Sequence, residues 1–562
     1  MYAEARGRVK RAVGGRMRSD ELIRLTAVEA VRLLRAGEVS PVDLLDAAER
    51  RVAAVDGDVN ALPTLCFDRA RERAAGLPDA PGDRPEAWLA GLPIAVKDLN
   101  DVAGVRTTYG SKTFADNVPE RSDIMVERLE SNGALVVAKS NTPEWGAGGN
   151  TFNDVFGATR NPWNTSRTCG GSSGGSAVAL ATGEVWLATG SDLAGSLRTP
   201  ACFCSVVGLR PGPGRVATGP SPLPFDTLGV EGPMGRTVPD AALMLDAMVG
   251  ANPEDPLSME APAAPFLSAA EGAAPPARVA FSPDLGIGPV DREVRDVCAA
   301  AARRFEELGA VVEEATPDLS EAPRAFRTLR AASYAANLGE LYRRAPGDLK
   351  PDIVWNVELG LGLTLEDVRR ADEMRGRIVA NTAAFLSSYD VLVCPAASLP
   401  PFDVDVISPR ELEGVVFDNY VEWLRISYAI TLTSCPAISV PCGYTRDGLP
   451  VGLQLVGRPR GEAALLGVAA AFEKVAGSAG RGPSEPVVAR GPGCGLRWPS
   501  RTTARRSDSA TRRSRTRTCA TPRSRSPGRS IPASGCWCGR RRHRRRASPS
   551  WARSRPERSR FP

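Results

Sequence analysis

Short apolar runs of about five residues, separated by stretches with helical spacing, restrict this 562-residue chain to one broad architecture. Leu92-Pro-Ile-Ala-Val96, Ala134-Leu-Val-Val-Ala138, Val206-Val-Gly-Leu209 and Val391-Leu-Val393 are apolar at consecutive rather than alternate positions. Successive side chains of a strand point to opposite faces, so a run of this kind buries both faces of its sheet and needs cover on each side. The windows Asp123–Asn132, Asp291–Leu308, Thr364–Leu386 and Glu462–Val475 carry the helical spacing that can supply it. The predicted class is α/β, with further strands at Val185–Thr189 and Pro450–Val456.

The chain opens on a helical hairpin. Thr26, with Glu29 three residues on, forms a capping box; Val31 and Leu34 continue an apolar face, and Gly37 ends it. Ser40-Pro41 starts a second helix whose Leu44, Leu45, Ala48, Val52 and Val55 face inward. Residues 1–19 are a basic extension, and Met17 offers an alternative start. Length alone, at roughly 150 residues per domain, suggests three or four domains, and no internal repeat is visible.

Charge is distributed unevenly. Residues 491–562 hold 21 arginines against Asp508 and Glu557, a charge of +19; the overall +6 then leaves −13 for the rest. Leu496, Ile531 and Phe561 are the only Leu, Ile, Val or Phe in that tail, too few to offset the entropy of ordering it, so disorder is expected. A GC-rich gene read out of frame gives this composition, as does a natural basic arm that touches nucleic acid non-specifically. The acidic body shows no nucleic-acid footprint. No run of 18 uncharged apolar residues and no signal peptide stand out, so a membrane partner is not expected. Eight cysteines in the body, without a CxxC pair, are read as buried thiols of a cytoplasmic protein.

The only histidine, His543, lies in the tail. A Ser-His-Asp triad, a Cys-His pair and a His-ligated zinc are thereby excluded from the body, and neither a metal nor a cofactor is expected.

Three segments carry chemistry. Gly170-Gly-Ser-Ser-Gly-Gly-Ser176 runs directly into a small-residue helix, which sets its hydroxyls beside unpaired N–H groups. It lacks the Lys-Ser/Thr ending of a phosphate loop and the GxGxxG of a dinucleotide fold. After the next strand, Gly190-Ser-Asp-Leu-Ala-Gly-Ser-Leu-Arg-Thr-Pro200 puts a serine beyond a tight turn, as a nucleophile would be placed, with consecutive N–H groups able to face one oxyanion. With histidine absent, its base must be Lys, Asp or Glu. Lys97 ends the apolar strand of Gly91-Leu-Pro-Ile-Ala-Val-Lys-Asp98, where burial would lower its pKa toward neutrality.

Together these segments resemble the amidase signature family of serine hydrolases over about residues 20–480. The resemblance implies one large domain, with a mixed central sheet covered by helices on both faces. It makes Ser196 the nucleophile, Ser172 a bridging serine associated with a cis peptide, and Lys97 the base. The oxyanion hole would be the N–H groups of Leu193, Ala194, Gly195 and Ser196, with Ser173, Asp192 and Arg198 in support. Ala194 stands where the family more often has glycine, which would strain the loop if φ there must be positive. Asp98 and Asn141 are plausible neighbours of the site. The late segments Gly229–Asp240, Pro436–Pro441 and Gly448–Gly457 look like the family's closing strands.

The implied activity is hydrolysis of a small-molecule carboxamide to acid plus ammonia or amine. The alternatives are the glutaminase chain of a glutamyl-tRNA amidotransferase, its A component, and a urea- or carbamate-type amidohydrolase of the same family; a homodimer is compatible with any of these. Trp145, Phe152, Trp355 and Tyr420 are candidates for the acyl pocket.

Overall fold

A computed structural model describes residues 17–78, 84–477 and 485–488. All of these fall within one compact unit, Met1–Pro492. The stretch before Met17 and the arginine-rich tail from Gly491 lie outside the described residues.

Eleven strands form a single mixed sheet. In chain order they are β1 (Thr64–Leu65), β2 (Pro93–Lys97), β3 (Leu135–Ser140), β4 (Leu187–Asp192), β5 (Val207–Arg210), β6 (Val230–Gly235), β7 (Arg278–Phe281), β8 (Val311–Glu314), β9 (Val391–Pro395), β10 (Ala437–Tyr444) and β11 (Pro450–Val456). Across the sheet the order is β1-β3-β2-β4-β6-β5-β10-β11-β9-β7-β8. β2 is parallel to β3 and β4, and β7 is parallel to β8 and β9. The strands between these groups pair antiparallel. Every residue of β2, β3 and β9 is buried, as the consecutive apolar runs require when both faces of the sheet are covered.

The helical hairpin forms as its signals predict. In α1 (Ala27–Arg35) Thr26 and Glu29 complete the capping box. α2 (Pro41–Val59) is capped by Ser40 and buries Leu44, Leu45, Ala48, Val52 and Val55. The window Asp291–Leu308 forms a helix over Arg292–Arg303 and then tightens into a 3-10 turn. The strand expected at Val185–Thr189 begins later and runs on to Asp192, which carries Ser191 into the sheet.

The small-residue helix α3 (Gly174–Thr182) is buried along its whole length. Glycine is needed at its start by close approach: a Cβ on Gly175 would lie 2.3 Å from the Asn141 nitrogen and 2.6 Å from the Ala61 oxygen. Both neighbours are backbone and cannot swing aside. Gly175→Ala is therefore expected to lower stability by about 1–3 kcal/mol, read as a fall in the thermal midpoint; an unchanged midpoint would show that the helix can slide outward.

Candidate active site

Three adjacent pieces of chain build the site. Lys97 is the last residue of β2, Ser172 lies in the turn that enters α3, and Ser196 lies between the end of β4 and helix α4 (Arg198–Cys204). Lys97 is fully buried. Its Nζ is 2.7 Å from Ser172 Oγ and 2.8 Å from Ser191 Oγ. Burial lowers its pKa to about 7, against the opposing pull of the Glu231 and Asp192 charges. Near neutral pH a large share of this amine therefore has a free lone pair, and Ser172 is in position to donate to it. The Gly171–Ser172 peptide is cis, and Ser172 is 2% exposed.

Ser196 is half-buried. Among the described residues no hydrogen bond joins its Oγ to Ser172. What ties the two loops together is Ser173. Its N–H donates to the Ser196 carbonyl at 3.2 Å, and its hydroxyl donates to the Ser191 carbonyl and accepts from the Ser191 N–H, both at 3.3 Å.

Asp192 organises the loop that carries Ser196. It accepts from Gly195 N–H at 2.9 Å and Leu197 N–H at 3.1 Å. Arg198 grips it through Nε at 3.0 Å and Nη2 at 2.8 Å, and Arg210 Nη1 also donates to its backbone carbonyl. Burial alone would raise the carboxyl's pKa; the two guanidinium groups and the Gly195 N–H outweigh that and hold it well below the usual carboxylate range. Arg198 further donates to the Ser427 carbonyl at 2.9 Å and to Gln454.

This arrangement refines the expected oxyanion hole. The Gly195 N–H is already committed to Asp192, whereas the N–H groups of Leu193, Ala194 and Ser196 have no acceptor among the described residues. The positive φ in the loop belongs to Gly195, at 103°, and not to Ala194. A Cβ on Gly195 would meet Ser427 Cβ at 2.4 Å. Alanine at 194 is thus accommodated without backbone strain, because the left-handed residue is its neighbour.

The other candidates fall farther out. Asp98 pairs with the buried Lys139 at 3.2 Å and accepts from the Thr108 hydroxyl and N–H. The Asn141 side chain bonds Thr159 and the Gly157 carbonyl. Both are scaffold. Trp145 stacks on Tyr109 with ring centroids 4.7 Å apart, and a Cβ on the next residue, Gly146, would lie 3.4 Å from Ser172 Oγ, which sets this aromatic pair beside Ser172. Phe152 lies under the Lys350 ammonium. Trp355 and Tyr420 pack edge to face.

With the geometry in place, the matches to known proteins carry weight. An Amidase family model matches residues 43–466. The chain belongs to the amidase signature family. It is 37% identical over 477 residues to an acylamidase of Rhodococcus erythropolis, covering 83% of this chain and 98% of that one. It is 35% identical over 480 residues to the A component of the glutamyl-tRNA(Gln) amidotransferase of Moorella thermoacetica, covering 81% and 97%. Among solved structures, a bacterial aryl acylamidase of the same family superposes with a TM-score of 0.75 at 27% identity, covering 81% of this chain and 97% of that one. This amidase is a hydrolase of carbon–nitrogen bonds other than peptide bonds.

Two neighbours of the lysine are visible only once the strands are paired. Ser191 is its second hydrogen-bond partner. Glu231, on β6, is the cross-strand partner of Ser191, so the two side chains leave the sheet on the same face. Glu231 Oε2 is buried and accepts no hydrogen bond among the described residues, and neither does Asn100 Oδ1. Burial pushes the Glu231 carboxyl up to about 7; the Lys97 charge opposes this, the Asn100 amide also lowers it, and Asp123 adds to the rise. The amine and the carboxyl therefore influence each other's titration, and the negative charge of an ionised Glu231 favours the protonated form of Lys97. Glu231→Gln is expected to shift the acid limb of the kcat/KM profile about one pH unit lower, because the amide cannot carry the negative charge that holds a proton on Lys97. A limb that stays in place would show the carboxyl to be electrostatically silent.

Proposed function

We propose that this enzyme hydrolyses a small-molecule carboxamide through an acyl-enzyme on Ser196. The uncharged Lys97 amine takes the proton of Ser172, Ser172 takes that of Ser196, and Ser196 Oγ adds to the amide carbonyl. The oxyanion that forms is met by the N–H groups of Leu193, Ala194 and Ser196. Collapse breaks the carbon–nitrogen bond while the proton returns through Ser172 to the departing nitrogen. Water then adds to the ester by the same relay and releases the carboxylic acid. Ser173, Asp192 and Arg198 position the loop rather than react.

The observation that carries this reading is the 2.7 Å approach of the Lys97 amine to Ser172 Oγ inside the sheet, in a body without histidine. The test is a serine-directed fluorophosphonate followed by peptide mass mapping. A single adduct on Ser196 is expected; a protein left unlabelled, or labelled elsewhere, would overturn the assignment. The eight cysteines among the described residues are unpaired thiols, six of them buried, which supports a reducing compartment such as the cytoplasm.

A second reading, the glutaminase component of a tRNA-dependent amidotransferase, rests on the 35% identity spanning 97% of such a chain. It requires copurifying partner chains and a glutaminase activity that depends on them, whereas the free-standing amidase turns over alone.

A further inference from the structure

We propose that Arg210 is a positioning residue for the reaction: by gripping the Asp192 carbonyl it aims and polarises the Leu193 N–H that meets the oxyanion. The inference rests on the amidase reading of Ser196 and adds to it a residue outside the loop that carries the serine.

One peptide unit holds the key. Arg210 is the last residue of β5 and is fully buried. Its Nη1 donates to the Asp192 carbonyl, and its Nη2 donates to the Leu228 carbonyl at 3.0 Å. The Asp192 carbonyl and the Leu193 N–H belong to the same planar trans peptide, so they point in opposite directions. A grip on the carbonyl therefore fixes the N–H on the side facing away from Arg210, where it has no acceptor among the described residues.

The same device recurs within the loop. The Ser196 carbonyl accepts from the Ser173 N–H at 3.2 Å, and the N–H across that peptide, from Leu197, is delivered to Asp192 Oδ2 at 3.1 Å. The Gly195 carbonyl accepts from the Thr199 N–H at 2.7 Å, which turns the Ser196 N–H the other way. Of these three clamped carbonyls only that of Asp192 is held by a cation. A charged donor makes a stronger bond than a neutral one. By drawing electrons toward the carbonyl oxygen it also leaves the N–H of the same amide a better donor.

The charge balance points to function rather than packing. Asp192 is the only carboxylate that pairs with Arg198 or with Arg210 among the described residues. Arg198 takes it through two nitrogens, at 3.0 and 2.8 Å, whereas Arg210 reaches the carboxylate only at 3.3 Å. Two buried guanidinium groups thus share one negative charge. Arg210 Nε is buried without an acceptor among the described residues. Burial lowers the Arg210 pKa to about 10; Asp192 opposes this, and the Arg198 and Arg375 charges add to it. Burying a cation without a full counter-charge costs stability, and such a cost is retained where charge develops in a reaction. The oxyanion formed at Ser196 brings the balancing negative charge.

The test compares Arg210→Gln and Arg210→Lys with wild type, each normalised to the sites titrated by a fluorophosphonate. Arg210→Gln is expected to lower kcat for 4-nitroacetanilide about tenfold to a hundredfold while KM stays within about threefold. It should slow phosphonylation by a similar factor, since Ser196 Oγ displaces fluoride from phosphorus while the phosphonyl oxygen takes the oxyanion's place. Arg210→Lys, which keeps the cation but not the fork, should lose only about threefold to tenfold. A backbone substitution isolates the atom through which Arg210 acts. Replacing Leu193 by its α-hydroxy analogue turns the 192–193 amide into an ester and removes the N–H; about a hundredfold is expected to be lost, and Arg210→Gln in that background should add less than about twofold. A merely structural role would not vanish with one N–H. Should Arg210→Gln prove insoluble, Arg210→Lys takes its place in the same cycle, and its smaller loss should likewise disappear in the ester. Losses that multiply across the two changes would overturn the proposal, as would an undiminished kcat and phosphonylation rate in the soluble variant. An enzyme labelled on Ser196 whose rates ignore Arg210 sinks this inference alone, and one left unlabelled sinks the amidase assignment beneath it.

Discussion

Lys97→Ala is expected to lower kcat/KM at pH 7 by about a thousandfold or more, the range in which a positioned general base contributes. The amine is enclosed by the sheet, 2.7 Å from one hydroxyl and 2.8 Å from another, and its pKa of about 7 follows chiefly from that burial. In wild type, kcat/KM should therefore rise with pH through about 7 and level off as the amine loses its proton. The variant should lose that limb as well as the rate, because the titrating base is gone. Lys97→Met, which keeps the apolar stem and most of the volume, separates the loss of the base from a cavity left in the core. Single-turnover acylation by a chromogenic amide across pH 5.5–9 reads both quantities. A Met variant that retained the limb would place the base elsewhere.

Ser196→Ala should remove turnover by at least about four orders of magnitude and abolish the fluorophosphonate adduct. Ser172→Ala should fall nearly as far, since without its hydroxyl the amine has no path to the nucleophile. The double variant should be little worse than either alone, because groups that act as one relay lose their effect together. Additive losses would mean that the two hydroxyls work independently, and the relay would have to be abandoned. The absence of a hydrogen bond between the two serines in this structure sharpens that test, because the second link would have to close when substrate is bound.

Much of this enzyme was legible before any fold was drawn. Consecutive apolar residues in Leu92–Val96 and Ala134–Ala138 announce strands buried on both faces, and the structure places β2 and β3 there. Capping residues Thr26, Ser40, Asp291 and Thr364 each begin a helix where their side chains meet the third following N–H. The three segments around Lys97, Ser172 and Ser196 are local motifs, readable because each is held by its own glycines and turns. By contrast, nothing in the spacing singled out Ser191 or Glu231, because they come near Lys97 only once β4 has paired with β2 and with β6.

The order of residues by itself determined which strands and helices form, excluded imidazole chemistry from the body, and marked Lys97, Ser172 and Ser196 as the candidate reactive set. Only the tertiary structure decided what surrounds that set. Strand pairing placed Ser191 and Glu231 beside Lys97 from strands far downstream in the chain; the grip of Asp192 committed the Gly195 N–H; and the positive φ fell on Gly195 and spared Ala194. The reason is that pKa, hydrogen-bond commitment and charge balance depend on distances between residues far apart in the chain, and those distances exist only once the sheet has closed.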